Sequence, residues 1–246
     1  MKYLQLITVI FIFSLLMNGQ TEAQNPDSLL KFMDNLMSAP KDKSAAVQMT
    51  LTDKSGDIKI REAIMKQKGK DKKLYRYTKP ESQAGVCTLS LPGDVMWLYM
   101  PAFDEPVKIT LLSKSQAFTG TDFSYEDMNS QSYSEKYKPI LATPTNPDNY
   151  TLELTPKSKK SDYSKILLSL DKSNYFPLKM DFYDKQGTLY KVATYKYVKK
   201  GKYWYAEEVL MKDLKKNHST KIVLTDLKFD QGISDDEFQV EKLIKK

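Results

Sequence analysis

Cysteine and histidine are nearly absent from this sequence of 246 residues, which contains one of each, Cys87 and His218. A single cysteine cannot form an intramolecular disulfide, so burial of apolar surface has to hold the fold together. We predict that Cys87 is a small buried side chain in a strand. His218 lies in a polar run typical of a hairpin tip, and nothing in the pattern places a buried serine beside it for nucleophilic catalysis.

Patterns that bind metals or phosphates are also lacking. The acidic residues occur at no ligand spacing, and Gly120 stands alone instead of in a glycine-rich loop. Asp122, Glu126 and Asp127 are close enough in sequence to suggest acid–base chemistry, but we interpret them as helix caps and hydrogen-bonding groups. We therefore predict a protein that is not an enzyme, with no catalytic residue, no metal and no cofactor. A hydrolase is the weakest alternative.

No apolar run reaches the roughly 20 residues that a membrane-spanning helix needs. The run from Leu4 to Met17 is shorter, follows Lys2, and precedes the small residues around Ala23. This arrangement predicts a signal peptide at residues 1–23 and export to the periplasm, with a retained anchor as the alternative. We expect residues 24–246 to form one domain without a lipidated N-terminus, because no cysteine follows the apolar run.

The formal net charge is +7, and the lysines are spread along the chain. Export argues against nucleic acid as the partner, so the basic surface suggests contact with an anionic membrane or an acidic protein.

Hydrophobic periodicity predicts one helix followed by a long β meander. Asn25-Pro26-Asp27 is a helix start, and Leu29 and Met33 begin an apolar stripe that ends before Pro40. After it, apolar residues alternate with polar ones, as in the strands around Met49, Leu152 and Met180, and glycine-containing turns separate them. We predict a mainly β fold with a curved antiparallel sheet of about eleven or twelve strands. A capping box at Ser234 and Glu237 predicts a terminal turn that packs Phe238 on the sheet.

Residues 112–149 interrupt the meander. This stretch is predicted to be irregular, with one or two short helices between Tyr125 and Tyr137, and the aromatic part at 118–128 is expected to form a rim or lid. The run at 95–100 is apolar on both faces, which predicts a strand covered on both sides. Strand alternation and the abundance of methionine give candidate lipid-binding residues: Met49, Leu51, Met96, Leu98, Met100, Phe118, Phe123, Leu152, Met180 and Phe182.

Three motifs resemble the LolA-like family of outer-membrane lipoprotein-sorting proteins. They are LYRYTKP at 74–80, GDVMWLYMP at 93–101 and FTGTDFSYEDM at 118–128. The leading helix and the closing Asp-Glu-Phe turn follow the family's order. The chain is longer and more basic than the family's classical carriers, and its aromatic–acidic segment differs from their lid.

The resemblance implies an unclosed half-barrel with short covering helices, whose apolar concave side holds acyl chains in transit from an inner-membrane donor to an outer-membrane acceptor. It also implies a monomer in which an early-strand arginine tethers the lid, for which Arg76 is preferred and Arg61 is the second possibility. The alternative on the same fold is a lipid- or peptide-sensing accessory module for a membrane exporter or signalling protein.

Overall fold

The structure, a computed structural model, describes residues 25–110 and 117–244, so the predicted signal peptide lies outside the described residues. The first element is helix α1, Pro26–Met37. The Asn25 side chain accepts hydrogen bonds from the backbone N–H groups of Asp27 and Ser28 at 2.9 and 3.3 Å. Leu29 and Met33 are buried on its inner face. The predicted helix is confirmed.

The remaining chain is mainly β. The strands are β1 (Asp42–Thr52), β2 (Ile58–Lys68), β3 (Lys72–Lys79), β4 (Cys87–Leu91), β5 (Val95–Tyr99), β6 (Val107–Ile109), β7 (Tyr137–Ala142), β8 (Asn149–Pro156), β9 (Lys165–Asp171), β10 (Pro177–Tyr183), β11 (Leu189–Lys200), β12 (Tyr203–Asp213) and β13 (His218–Phe229). Two one-turn helices, α2 (Tyr125–Met128) and α3 (Tyr133–Lys136), lie between β6 and β7. Within the described residues, no helix combines the length and the apolar character needed to cross a membrane.

All thirteen strands belong to one antiparallel sheet that does not close. The chain meanders from β1 out to β6 at one edge, restarts with β7 at the opposite edge, and meanders back to β13, which pairs with β1. The predicted open half-barrel is confirmed. The strand count exceeds the expected one partly because residues 137–142, which were predicted to be irregular, form edge strand β7. The short helices predicted between Tyr125 and Tyr137 are present.

The two faces of the sheet are both covered, but by different parts of the chain. The larger core cluster lies on the concave face, beneath α1 and residues 117–136. The smaller cluster lies on the convex face, where Leu74, Cys87, Leu89 and Tyr99 pack against Phe238 and Leu243. Met96 belongs to the first cluster and Trp97 to the second, so the strand at 95–99 is covered on both sides, as predicted.

The C-terminal segment, residues 231–244, is held on the convex face by polar contacts as well. The buried Asp42 carboxylate accepts hydrogen bonds from the backbone N–H groups of residues 231–233 at 2.8–3.1 Å. Lys66 Nζ lies 2.7 Å from Glu237 Oε2. Ser234 Oγ accepts from the Asp236 N–H at 3.3 Å, so Ser234 caps the turn while Glu237 pairs with Lys66 instead of completing the predicted capping box.

Cys87 is fully buried in β4, as predicted. Burial raises the pKa of its thiol to about 11, so the thiolate that would make it reactive is scarce at neutral pH.

We expect Phe238→Ala to lower the free energy of unfolding by about 3 kcal/mol, because a buried aromatic side chain is removed from the convex cluster. Phe103→Ala is the matched control, since Phe103 is 66% exposed, and its effect should stay below about 0.5 kcal/mol. Urea unfolding measures both values. Equal effects of the two variants would contradict the assignment of Phe238 to a core.

Candidate functional site

The mouth of the half-barrel is crossed by residues 117–136, here called the inner cap. Because β6 and β7 are the opposite edges of the sheet, the chain that joins them has to cross from one edge to the other. The described part of this connection carries Phe118, Phe123, Tyr125 and Met128 into the concave core. Ring contacts continue the packing, with Phe118 5.8 Å from Tyr75 and 5.3 Å from Tyr125 between ring centroids.

Arg61 and Tyr77 fasten the inner cap to the sheet. Arg61 Nη1 donates a hydrogen bond to the Thr119 carbonyl oxygen, and the Tyr77 hydroxyl bonds the Thr119 hydroxyl. Thr119 and Gly120 both have positive φ, at 49° and 78°, so the backbone makes a tight turn where the arginine meets it. Arg61 pairs with Met49 across β1 and β2, which places it over the concave face.

The predicted tether, Arg76, makes different contacts. Its guanidinium donates to the carbonyl oxygens of Leu243 and Lys242 at 3.1 and 3.0 Å on the convex side. Side chains alternate along β3, so Tyr75 and Tyr77 face the cap while Arg76 faces the C-terminal segment. The residue that contacts the cap is Arg61, the second possibility from the sequence.

The acidic residues of the inner cap bond to protein groups. Asp122 is buried and accepts from the Thr220 hydroxyl at 2.6 Å, and its carboxylate lies 2.7 Å from His218 Nδ1. His218 is the first residue of β13 and not a free hairpin tip. Asp127 closes a capping box with Ser124, because its Oδ2 accepts from the Ser124 N–H at 2.8 Å and the Ser124 hydroxyl accepts in return.

Glu126 anchors the cap to the loop before β9. Its carboxylate accepts from the Ser161 hydroxyl at 2.7 Å and from the Asp162 N–H at 3.3 Å. Burial raises the pKa of Glu126, and these hydrogen bonds partly oppose the rise. Within the described residues, no group of three His, Cys, Asp or Glu side chains is placed to hold a metal ion.

A cavity of about 250 Å³ lies between the inner cap, the end of α1 and the concave face of the sheet. Its apolar wall comes from the turn before β10 and from β11 to β13, and it is rich in aromatic rings. The residues of this wall, here called the aromatic wall, are Phe176, Tyr195, Tyr197, Trp204, Tyr205, Val209, Ile222, Leu224, Leu227 and Phe229.

The opposite wall of the cavity is polar. Lys43, Gln67 and Lys73 lie side by side on β1, β2 and β3, because Lys43 pairs with Gln67 and Gln67 pairs with Lys73. Burial lowers the pKa of Lys43 to about 8. Burial, and then the nearby charges of Lys43 and Lys136, lower the pKa of Lys73 to about 7. A charged ammonium is therefore disfavoured at both positions.

The ten candidate lipid-binding residues all lie in or against the concave core cluster. For the eight of them that lie on or beside strands, alternation predicted the face that packs into this core, whereas Phe118 and Phe123 belong to the inner cap. Phe123 lines the cavity, and the other nine lie in or against the packed core outside the cavity lining. The alternation Tyr195-x-Tyr197 was a sequence signal for the aromatic wall. Lys43 lies on the same inward side of β1 as Ala45 and Val47.

Comparison with known proteins covers most of the chain. A family model for uncharacterized proteins matches residues 69–245. The solved structure of an outer membrane lipoprotein-sorting protein domain from Vibrio parahaemolyticus is 29% identical, with a TM-score of 0.82, and the match covers 89% of this chain and 98% of that one. A comparison with curated proteins gave no match.

Two further structures have the same fold. A DUF1329 family protein from Desulfovibrio piger is 26% identical with a TM-score of 0.82, over 88% of this chain and 97% of that one. A LolA superfamily protein from Nitrosomonas europaea is 23% identical with a TM-score of 0.74, over 88% and 98% of the two chains.

Substitution of each of the two arginines should speed hydrogen exchange in a different segment. Arg61→Gln should speed amide exchange at residues 117–128, and Arg76→Gln should speed it at residues 240–244, by roughly tenfold or more for the loss of a charge-assisted hydrogen bond. Each variant is the control for the other, and mass spectrometry of peptic peptides gives the readout. If Arg76→Gln loosened the inner cap, the assignment of the tether to Arg61 would be wrong.

Lys73 should make stability depend on pH. Its folded-state pKa of about 7 lies below its ordinary value of 10.5, so the unfolded chain binds more protons between these values. Stability then rises with pH through this window. Lys73→Met should stabilise the protein at pH 7 by about 1–2 kcal/mol, and this gain should shrink as the pH rises from about 7 towards 10.5.

Lys228→Met is the control for this measurement, since Lys228 is exposed. Urea titrations between pH 7 and pH 9 compare both variants with the wild type. A gain that did not change with pH would show that methionine packing, and not a lowered pKa, causes the stabilisation.

Proposed function

This chain belongs to the family whose model matches residues 69–245 and shares its fold with outer membrane lipoprotein-sorting and LolA superfamily structures, and on that premise we propose that it is a periplasmic carrier that binds the acyl chains of a lipid or lipoprotein. Its donor would be an inner-membrane protein and its acceptor an outer-membrane protein. The observation that carries this proposal is the aromatic wall, which leaves an apolar cavity on the concave face of an open sheet.

The cavity suits an acyl chain because six of the ten residues of its apolar wall are large, rigid rings. Phe176 lies 4.6 Å from Tyr197 between ring centroids, and Phe229 lies 6.1 Å from Tyr205. Such rings stack against one another and hold the cavity open, where flexible aliphatic side chains would collapse into it. Apolar cavities with a few polar groups at one side are the usual form of ligand sites.

The energetics of transfer constrain the mechanism. Each CH₂ group gains about 0.8 kcal/mol on leaving water, so a chain of about 16 carbons gains roughly 13 kcal/mol. The same chain gains almost nothing relative to a membrane, because both environments are apolar. Cargo should therefore leave by direct contact with an acceptor and not through water.

The basic surface supports such contacts. With a formal net charge of +7, the protein is attracted to anionic membranes, at about 1 kcal/mol for each lysine near the surface. The half-barrel could then meet a membrane or an acidic partner before the cargo moves.

The two tryptophans provide a test of acyl-chain binding. Trp204 lines the cavity, whereas Trp97 packs against the convex cluster on the other side of the sheet. A fatty acid brominated along its chain quenches only nearby indoles. We expect strong quenching of the fluorescence of Trp97→Phe, which retains Trp204. We expect weak quenching of the fluorescence of Trp204→Phe, which retains Trp97.

The unbrominated fatty acid is the control for effects of binding alone, and thermal melting checks that each variant folds. Mass spectrometry of an organic extract from protein purified without detergent would identify retained lipid. Equal quenching of both variants, or none in either, would contradict acyl-chain binding in this cavity.

A further inference from the structure

We propose that the cargo is an anionic amphiphile, whose phosphate or carboxylate head group binds between Lys43 and Lys73 while its acyl chain lies against the aromatic wall. This inference rests on the proposed function and specifies the substrate class of the same cavity.

The charged groups that line the cavity divide into those with partners and those without. Asp34 accepts hydrogen bonds from the backbone N–H groups of Tyr133 and Ser134 at 3.0 and 2.8 Å, so it serves as the cap of helix α3. Asp127 accepts from the Tyr163 hydroxyl at 2.6 Å and faces Lys191 at 3.8 Å. Lys70 pairs with Glu135 at 2.9 Å. Asp34, Asp127 and Lys70 therefore all have partners within the protein.

Lys43 and Lys73 are different. In the part of the chain that the structure describes, no carboxylate contributes to the environment of either ammonium, and the nearby charge that acts on Lys73 is that of other lysines. Strand spacing puts the two backbones about 10 Å apart, with Gln67 between them, which is within reach of two long side chains that converge on one anion. Unpaired cations in a half-buried site are costly, and a bound anion would remove that cost.

The arrangement of the two walls matches the two ends of an amphiphile. Lys43 pairs with Phe229 across the β1–β13 seam, so the cationic wall passes directly into the aromatic wall.

A matched pair of ligands isolates the head group. Myristoyl lysophosphatidic acid and monomyristoylglycerol share their acyl chain and glycerol and differ by the phosphate. Calorimetric titration of the full folded protein should show the phosphorylated ligand binding at least about tenfold more tightly. Lys43→Gln combined with Lys73→Gln should remove this preference and change the affinity for monomyristoylglycerol by no more than about twofold.

Lys228→Gln, at an exposed position next to Phe229, is the control and should retain the preference. Thermal melting confirms that each variant is folded. Equal affinity for the two ligands in the wild type would overturn the head-group inference and leave acyl-chain binding intact. Failure of both ligands to bind would overturn the proposed function as well. Glycerol phosphate without an acyl chain should compete weakly, and tight competition would indicate a free-phosphate site instead.

Discussion

The pairing of β1 with β13 is the contact on which the rest of the structure depends. It joins an outgoing meander, β1 to β6, to a returning one, β7 to β13, and so places β6 and β7 at the two edges of one open sheet. The connection between these edges cannot follow a hairpin, because hairpins join neighbouring strands. It has to traverse the mouth of the half-barrel. The inner cap, and with it the cavity, follows from this single constraint.

The sheet also separates two sets of contacts that the chain supplies from different ends. Residues on alternate positions of β3 face opposite sides, so Tyr77 contacts the inner cap and Arg76 contacts the C-terminal segment. The convex cluster stiffens β3 to β5 without filling the concave side. Of these strands, β3 also lines the cavity, through Lys73 and Tyr75, so this side of the cavity is stabilised from behind.

The cavity itself has two chemically distinct walls, which meet at the β1–β13 seam. Aromatic rings on β11 to β13 provide an apolar surface of fixed shape, and lysines on β1 and β3 provide positive charge at its border. The carboxylates that line the cavity have other partners, because Asp34 accepts from backbone N–H groups of the cap and Asp127 accepts from the Tyr163 hydroxyl. The polarity of the site is therefore a property of the folded arrangement and not of any one segment.

Local patterns decided much of the fold. Asn25 and Pro26 specify the start of α1, period-two alternation specifies the strands, and the glycine turns specify the hairpins. These features could be predicted because each is set by residues within a few positions of one another. Alternation also predicted the inward face for the eight candidate residues on or beside strands, which all pack in or against the same core. The motifs at 74–80, 93–101 and 118–128 predicted the fold that the chain shares with lipoprotein-sorting and LolA superfamily structures.

The sequence could not assign the contacts between distant segments. The resemblance favoured Arg76 as the tether, with Arg61 second, but the face of the sheet that each arginine occupies once the register is set gives the contact with the cap to Arg61. Edge strand β7 lies in a stretch whose sequence shows no clear alternation. It forms because it pairs with β8. The cavity required β1, β3 and β11 to β13 to converge beneath the cap. Tertiary structure alone decides which inward-facing residues are packed and which are left to face a ligand, because packing depends on neighbours that are far apart in the chain.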